Sequence, residues 1–281
     1  GCGAGGDAIT FVMLHKHLQF IDACKEIAKD HSLQIDFDNQ PAPNPETEQR
    51  RESLLGIMHQ AQQFFVNQLD SEKGAEALAY ISGRFSPEII QKWGIGFAPD
   101  NWHDLQNYLT AKGYNTGDLL ALGLLSQSGE RVFDTFRNRI MFPLTDIHGR
   151  PVAFSGRILG KQHDKKTPKY INSTQTEIFS KGQLFYGINT AIAEIRKTKK
   201  AYLVEGNPDV IRLQEVGPVN TIAPLGTGIS KEQIEFLAKN CTSITIIGDG
   251  DNAGIKAVTE NAAKLIRAGL FVNVITLPVN D

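Results

Sequence analysis

Glu205, Asp249 and Asp251 are the residues of this chain best suited to chemistry. Each follows a short apolar run that reads as a β-strand: Tyr202-Leu203-Val204 precedes Glu205, and Ser243 to Ile247 precedes Asp249-Gly250-Asp251. If those strands run parallel in one sheet, the carboxylates share its C-terminal edge, where open α/β folds place their sites. Gly206, Gly248 and Gly250 leave the backbone beside them free to turn tightly or approach a ligand. Carboxylates gathered at one edge repel one another, and a divalent cation relieves the repulsion. Mg²⁺ takes a few carboxylates together with water and phosphate oxygens. An ion held this way activates an attacking hydroxyl and neutralises a departing pyrophosphate. Alone, Asp249-Gly250-Asp251-Asn252 is as readily a polar turn ahead of a helix. Glu205 at a matching strand end is what favours a metal site.

The elements that must position these residues alternate between strand and helix from Lys199 onward. Pro208 suits the first turn of a helix after Glu205. Val219 to Ala223 reads as the next strand, and Ser230 with Gln233 forms a capping box for the next helix. A helix over Ile255 to Ala268 and a strand over Phe271 to Leu277 complete the run. Such alternation implies an α/β fold with a mostly parallel sheet covered by helices.

Upstream, residues 52–198 read as a mixed α+β subdomain. Leu54, Ile57, Ala61 and Phe64 fall on one helical face. Arg139 to Thr145 and Val152 to Ser155 flank a turn at His148-Gly149-Arg150, which is a hairpin signal. Residues 36–51, with Pro41, Pro43 and Pro45, read as a linker. Residues 1–35 open on a Gly-rich stretch, followed by a helix capped by Asp7 and a second with Phe20, Cys24, Ile27 and Ala28 on one stripe.

Composition sets outer limits. In 281 residues with 41% hydrophobic side chains there is room for a sizeable core. A net charge of −2 excludes a protein that coats nucleic acid through bulk positive charge, so such a partner needs a local basic patch. Three cysteines far apart, Cys2, Cys24 and Cys241, give no disulfide framework and suit a reducing cytoplasm. No stretch has the 18–20 or so apolar residues of a membrane span. The abrupt start in a Gly-rich loop and the end at Asp281 read as the limits of an excised fragment.

The acidic pattern resembles the TOPRIM module, a parallel-sheet, Rossmann-like fold shared by primases, topoisomerases and some nucleases. In that pattern a Glu follows the first strand and an Asp-x-Asp the third, and Asp281 stands where a further acidic position often falls. The preceding segments are similar to bacterial-type (DnaG-like) DNA primases in particular. Cys2-Gly-Ala-Gly-Gly-Asp-Ala-Ile-Thr-Phe resembles the end of their zinc-binding domain. Phe136-Arg-Asn-Arg-Ile-Met-Phe-Pro, Phe154-Ser-Gly-Arg, Pro168-Lys-Tyr-Ile-Asn-Ser, Phe179-Ser-Lys-Gly and Leu184-Phe-Tyr-Gly resemble their basic segment. Glu205-Gly-Asn-Pro-Asp-Val is close to their first acidic motif. The likeness spans nearly the whole chain in order. Asn207 and Pro208 replace a usual aromatic and methionine, and Gly248 replaces a usual aromatic; these departures mark a divergent branch and spare the carboxylates.

The resemblance implies a zinc-domain remnant (1–35), a linker (36–51), a basic catalytic-core subdomain (52–198) and a TOPRIM subdomain (199–281). It implies synthesis of short RNA primers on single-stranded DNA from ribonucleoside triphosphates. Mg²⁺ or Mn²⁺ would sit on Glu205, Asp249, Asp251 and Asp281, with Glu205 either ligand or general base. Arg137, Arg139, Arg157, Lys169, Tyr170, Asn172 and Lys181 would hold template and nucleotide, and Asp209 would be an auxiliary acid. Cys2 would be a zinc ligand only in a longer parent, where a replicative helicase would be the partner of an absent C-terminal domain. The expected form is a cytoplasmic monomer without membrane contact. The alternatives are a TOPRIM nuclease or topoisomerase-like enzyme, and a non-catalytic single-strand-binding module.

Overall fold

The computed structural model describes residues 7–16, 20–31, 44–160, 167–226 and 228–278. Cys2, Asp281 and the Pro41-Ala-Pro43 centre of the expected linker lie outside the described residues. Two compact units are present, residues 1–49 and 50–281.

In the first unit, helix α1 (Ala8–Lys16) is capped as its sequence requires, Asp7 Oδ1 accepting from Thr10 N at 2.8 Å. Helix α2 (Phe20–Asp30) buries Ala23, Cys24 and Ala28.

The linker reading gives way at its C-terminal end, because helix α3 (Pro45–Leu69) already begins at Pro45. Proline is harmless at a first helical position, where the missing N–H has no partner to lose. Asn44 Oδ1 accepts from Glu46 N at 3.1 Å, and Glu46 and Glu48 suit the positive end of the helix dipole.

In the second unit, Leu54, Ile57, Met58, Ala61 and Phe65 of α3 form the buried stripe. They belong to one core with Phe142 and Phe154 of the central hairpin. Helices α4 (Ala75–Ser82) and α5 (Pro87–Lys92) lead into strand β1 (Gly96–Ala98); α6 (Asp104–Ala111) and α7 (Thr116–Ala121) follow. A small hairpin of β2 (Leu125–Ser128) and β3 (Arg131–Asp134) comes next. Strands β4 (Arg139–Thr145) and β5 (Pro151–Ile158) form the expected hairpin. With β1 on one side and β6 (Tyr170–Asn172) on the other they make an antiparallel sheet in the order β1-β4-β5-β6.

From Phe185 the chain builds the second sheet. Its elements are β7 (Phe185–Tyr186), α8 (Ile188–Thr198), β8 (Lys200–Leu203), α9 (Asn207–Val216), β9 (Thr221–Pro224), α10 (Lys231–Asn240), β10 (Ser243–Gly248), α11 (Asn252–Arg267) and β11 (Phe271–Thr276). The order is β11-β10-β8-β9-β7, parallel from β11 to β9, with β7 antiparallel at the far edge. The two-residue period of a strand sends neighbours to opposite faces. Ile222 therefore joins a core with Leu203, Ile244, Ile246 and Leu265, while the adjacent Ala223 joins Val210 and Ile211 in the core shared with α3. Among the described residues no helix is long and apolar enough to cross a membrane.

Candidate functional site

Strands β8 and β10 are neighbours, and Leu203 pairs with Ile246, so Glu205 comes level with Gly248 at the C-terminal edge. There Glu205 Oε1 accepts from Asp249 N at 3.0 Å. Two glycines make the approach feasible. A side chain at Gly248 would stand 2.2 Å from Val258 Cγ2 and 3.3 Å from Glu205 Oε1; one at Gly254 would stand 2.4 Å from the Asp249 carbonyl oxygen. The edge is therefore closed tightly around the Asp249 backbone by the first turns of α11.

Asp251 is on the same edge but engaged elsewhere: it is the N-cap of α11, its Oδ1 accepting from Gly254 N at 2.7 Å. Among the described residues, no three carboxylate, imidazole or thiolate side chains converge closely enough to hold a metal ion. The three acids thus share an edge, as their places after the strands require, without pointing at one spot. The Glu205 and Asp251 carboxylates take backbone N–H donors instead. The donor chemistry fits a hard divalent cation, because every group is an anionic oxygen.

Asp209, in the first turn of α9, adds to the negative charge. Part of its side chain reaches solvent, but enclosure of its carboxyl pushes the pKa above the ordinary value. The bond from Gly206 N opposes this shift, and the charges of Asp249 and Glu205 reinforce it.

The expected basic set divides into groups with different roles. Arg139 is buried, and its Nη1 donates to the backbone carbonyls of Gly156 and Pro168 at 3.0 and 3.1 Å. It fixes the backbone that carries Lys169, a structural role the sequence reading did not assign to it. Asn172 likewise ties β6 to the parallel sheet, Nδ2 donating to the Leu225 carbonyl at 3.0 Å. Lys169 and Lys181 are exposed, and the Lys181 stem lies against Gly226 in the loop after β9. Tyr170, half-buried, pairs with Arg157 across β5 and β6; burial raises its pKa.

Arg157 stands over the ring of Tyr80, 4.5 Å from its centroid, and Arg84 stands 5.0 Å from the same centroid. Arg212 of α9 donates to the Arg84 carbonyl at 2.6 Å. Tyr170 feels the charges of Arg157, Arg84 and Asp209, so this cationic cluster borders the acidic edge. The sequence reading missed Tyr80, Arg84 and Arg212. Their only linear signal was an ordinary helix with an arginine at its end.

Arg137 belongs to a separate groove. Its guanidinium stacks 3.9 Å from the centroid of Trp102 and 5.1 Å from that of Phe133, and Nη1 donates to the Asp134 carbonyl. Trp102 is 56% exposed, unusual for so large an apolar ring. It lines a cavity of about 550 Å³ with His103, Ser128, Arg131, Val132 and Phe133. Buried Asp134 holds the groove together, its carboxylate accepting from Leu105 N at 2.8 Å and Gln106 N at 3.0 Å. Exposed aromatics beside arginines are the pattern that stacks bases and holds phosphates. Sequence reading missed Trp102, whose partners come from a distant hairpin.

Comparison with known proteins gives three family matches along the chain. Residues 1–42 match the CHC2 zinc finger, 64–192 the N-terminal domain of the DNA primase catalytic core, and 202–281 a Toprim-like domain. The DNA primase of Staphylococcus aureus (strain COL) is 37% identical over 99% of this chain and 47% of its own length. A DNA primase domain from Pseudomonas aeruginosa is 35% identical with a TM-score of 0.71, over 81% of this chain and 72% of that one. A DnaG primase catalytic domain solved bound to ssDNA is 32% identical with a TM-score of 0.72, over 85% of this chain and 74% of that one. The chain spans about half the length of the curated relatives it matches.

Proposed function

The chain belongs to the DnaG-type DNA primase family, and from that membership we infer that it is the part of a replication primase that joins ribonucleotides on single-stranded DNA. The observation that carries this reading is the meeting of Glu205 and Asp249 at the C-terminal edge of the parallel sheet, bordered by the Arg84, Arg157 and Tyr80 cluster. An acidic group beside a cationic one suits a substrate whose phosphates need cations on both sides.

Glu205 and Asp249, with Asp251, would supply the anionic oxygens for Mg²⁺ or Mn²⁺; Asp281, which lies outside the described residues, would be a further acid of the set. A bound divalent ion supplies Lewis acidity, lowering the pKa of the attacking 3′-hydroxyl and neutralising charge on the departing pyrophosphate. Arg157 and Lys169 neutralise the triphosphate from the other side, where a guanidinium fork suits two phosphate oxygens. Asp209 adds a carboxyl that strengthens the field at the ion. Lys181 covers the loop at Gly226, and Tyr170 and Asn172 border the nucleotide. The bond broken joins the α- and β-phosphates of the incoming triphosphate; the bond made joins the α-phosphorus to the 3′-oxygen.

Single-stranded template runs over the Trp102 groove, with Arg137 and Arg131 at its phosphates and a base on the indole. In the whole protein, Cys2 would contribute to a zinc site, a replicative helicase would be a partner, and the cytoplasm would be the working compartment.

Primer synthesis by the whole protein tests this reading, with single-stranded DNA, labelled ribonucleotides and Mg²⁺ or Mn²⁺. Short RNA products that vanish in the Asp249→Ala, Asp251→Ala double variant are expected. Cleaved DNA without RNA would reassign the site to a nuclease; binding with neither activity would make it a non-catalytic module.

A further inference from the structure

The edge of the parallel sheet opposite the carboxylates carries a run of basic residues, with Glu194 and Glu215 as acids near helix ends there. Helices α8, α10 and α11 all end there, and with the strands that follow they place Arg196, Lys197, Lys199, Lys200, Lys239 and Arg267 around one rim. All six are exposed. Backbone and side-chain bonds stitch the rim together. Arg196 Nε donates to Asn240 Oδ1 at 2.9 Å, Thr242 N to the Lys199 carbonyl at 2.9 Å, and Phe271 N to the Thr242 carbonyl at 3.0 Å. Lys200, Ser243 and Phe271 lie in one row across β8, β10 and β11.

Cations near helix C-termini are favoured by the helix dipole, which accounts for Arg196, Lys239 and Arg267. It also covers Lys199, the C-cap of α8 in a left-handed turn at φ +56°, but not Lys200, already in the strand. Among the described residues only Lys197 of the six has a carboxylate partner, Glu194 at 3.2 Å. Phe271 is 76% exposed in the same row. An excess of unpaired cations calls for a polyanion. The exposed ring favours nucleic acid among polyanions, because every nucleobase offers a broad face to stack, whereas the anionic Asp and Glu side chains of an acidic peptide do not.

We propose that this rim is a second nucleic-acid contact, in which Lys199, Lys200, Lys239 and Arg267 hold phosphates of a single strand and Phe271 stacks a base. Strand β10 spans Ser243 to Gly248, so the rim lies about 17 Å from the carboxylates, at roughly 3.3 Å per residue. It therefore engages a different stretch of strand from the one undergoing reaction. The proposal stands independently of the metal-site reading.

The test is fluorescence anisotropy of a labelled oligothymidylate, and of an oligouridylate in parallel, with the 281-residue chain in EDTA over a salt series. The variants are a Lys200→Glu, Lys239→Glu, Arg267→Glu triple, its glutamine counterpart, and Phe271→Ala. The triple is expected to weaken binding tenfold or more and flatten the slope of log K against log salt by roughly 2, at about 0.7 per lost phosphate contact. The glutamine version should follow it with a smaller loss. Phe271→Ala should weaken binding about fivefold or more with the slope kept. The tighter of the two oligonucleotides identifies whether template or RNA product is held. Unchanged affinity and slope in variants that retain the parent unfolding midpoint would overturn the proposal. So would loss of polyglutamate binding with both oligonucleotides unaffected.

Discussion

The carboxylate of Glu205, at the end of β8, accepts a hydrogen bond from the backbone N–H of Asp249, at the end of β10, at 3.0 Å. The bond holds two acids of adjacent parallel strands side by side, and Gly248 makes room for it. Replacing Gly248 with alanine puts a methyl group 2.2 Å from Val258 Cγ2 and 3.3 Å from the bonded Glu205 oxygen. Overpacking of this kind costs about 1–3 kcal/mol. Gly248→Ala is expected to lower the unfolding free energy by that amount in urea titration and to weaken divalent-metal binding as well. An unchanged midpoint would show that α11 yields easily.

Arg139 and Arg157 are both on the basic segment, yet their substitution should have opposite signatures. Removing Arg139 strips the donor from the buried carbonyl of Gly156 and from that of Pro168. An unsatisfied buried group costs about 1–3 kcal/mol, so Arg139→Ala should reduce stability by that order, with activity falling in step. Arg157, half-buried against Tyr80, has its fork available for substrate. Arg157→Ala should leave the denaturation midpoint nearly unchanged and raise the KM for nucleotide. Denaturation and steady-state kinetics on the same two variants separate the roles.

Much of this architecture was legible in the sequence, and the failures have physical causes. Short apolar runs ending in glycine and acid were enough to give the parallel strands and put Glu205 and Asp249 at one edge. The β4–β5 hairpin followed from two strand-like runs around Gly149. The structural role of Arg139 went unread because a buried arginine bonded to carbonyls and an exposed one look alike in one dimension. Asp251 was placed on the right edge, but no spacing rule shows that its side chain caps α11 instead of facing Glu205. The Tyr80 and Trp102 stacks escaped notice because Arg157 and Arg137 come from far along the chain, and Arg84, four residues after Tyr80, gave no signal of its own. Pro45 was taken as a linker residue because the same proline serves a loop and the first turn of a helix.

The Trp102 groove gives a prediction independent of the metal. Arg137 lies 3.9 Å from the indole centroid, and more than half of Trp102 is open to solvent. Base stacking on one aromatic contributes about 1–3 kcal/mol. Trp102→Ala should therefore weaken single-stranded DNA binding by roughly five- to a hundredfold in anisotropy measurements, with metal affinity unchanged. Equal loss of both would mean that the groove collapses without its indole.

Asp134 links the groove to pH. Burial, opposed by the N–H bonds from Leu105 and Gln106, raises its pKa to about 6. The unfolded value is about 3.9, so between these two values the folded state binds the extra proton. Its contribution to stability is full below about pH 4 and is lost as pH rises through 6, by about 2–3 kcal/mol. Asp134→Asn cannot titrate. Its stability relative to the parent should rise by that order between pH 4 and pH 7.5 in paired denaturation curves; a constant difference would place the carboxyl in a better-solvated setting.

The acidic edge is tested most directly by Mn²⁺ binding, followed by electron paramagnetic resonance, to the chain and to its Glu205→Gln and Asp249→Asn variants. One saturable site that weakens at least tenfold in each variant, with folding intact by circular dichroism, is the expected result. No saturable site in the parent chain, or equal binding in all three proteins, would contradict a metal centre at Glu205 and Asp249.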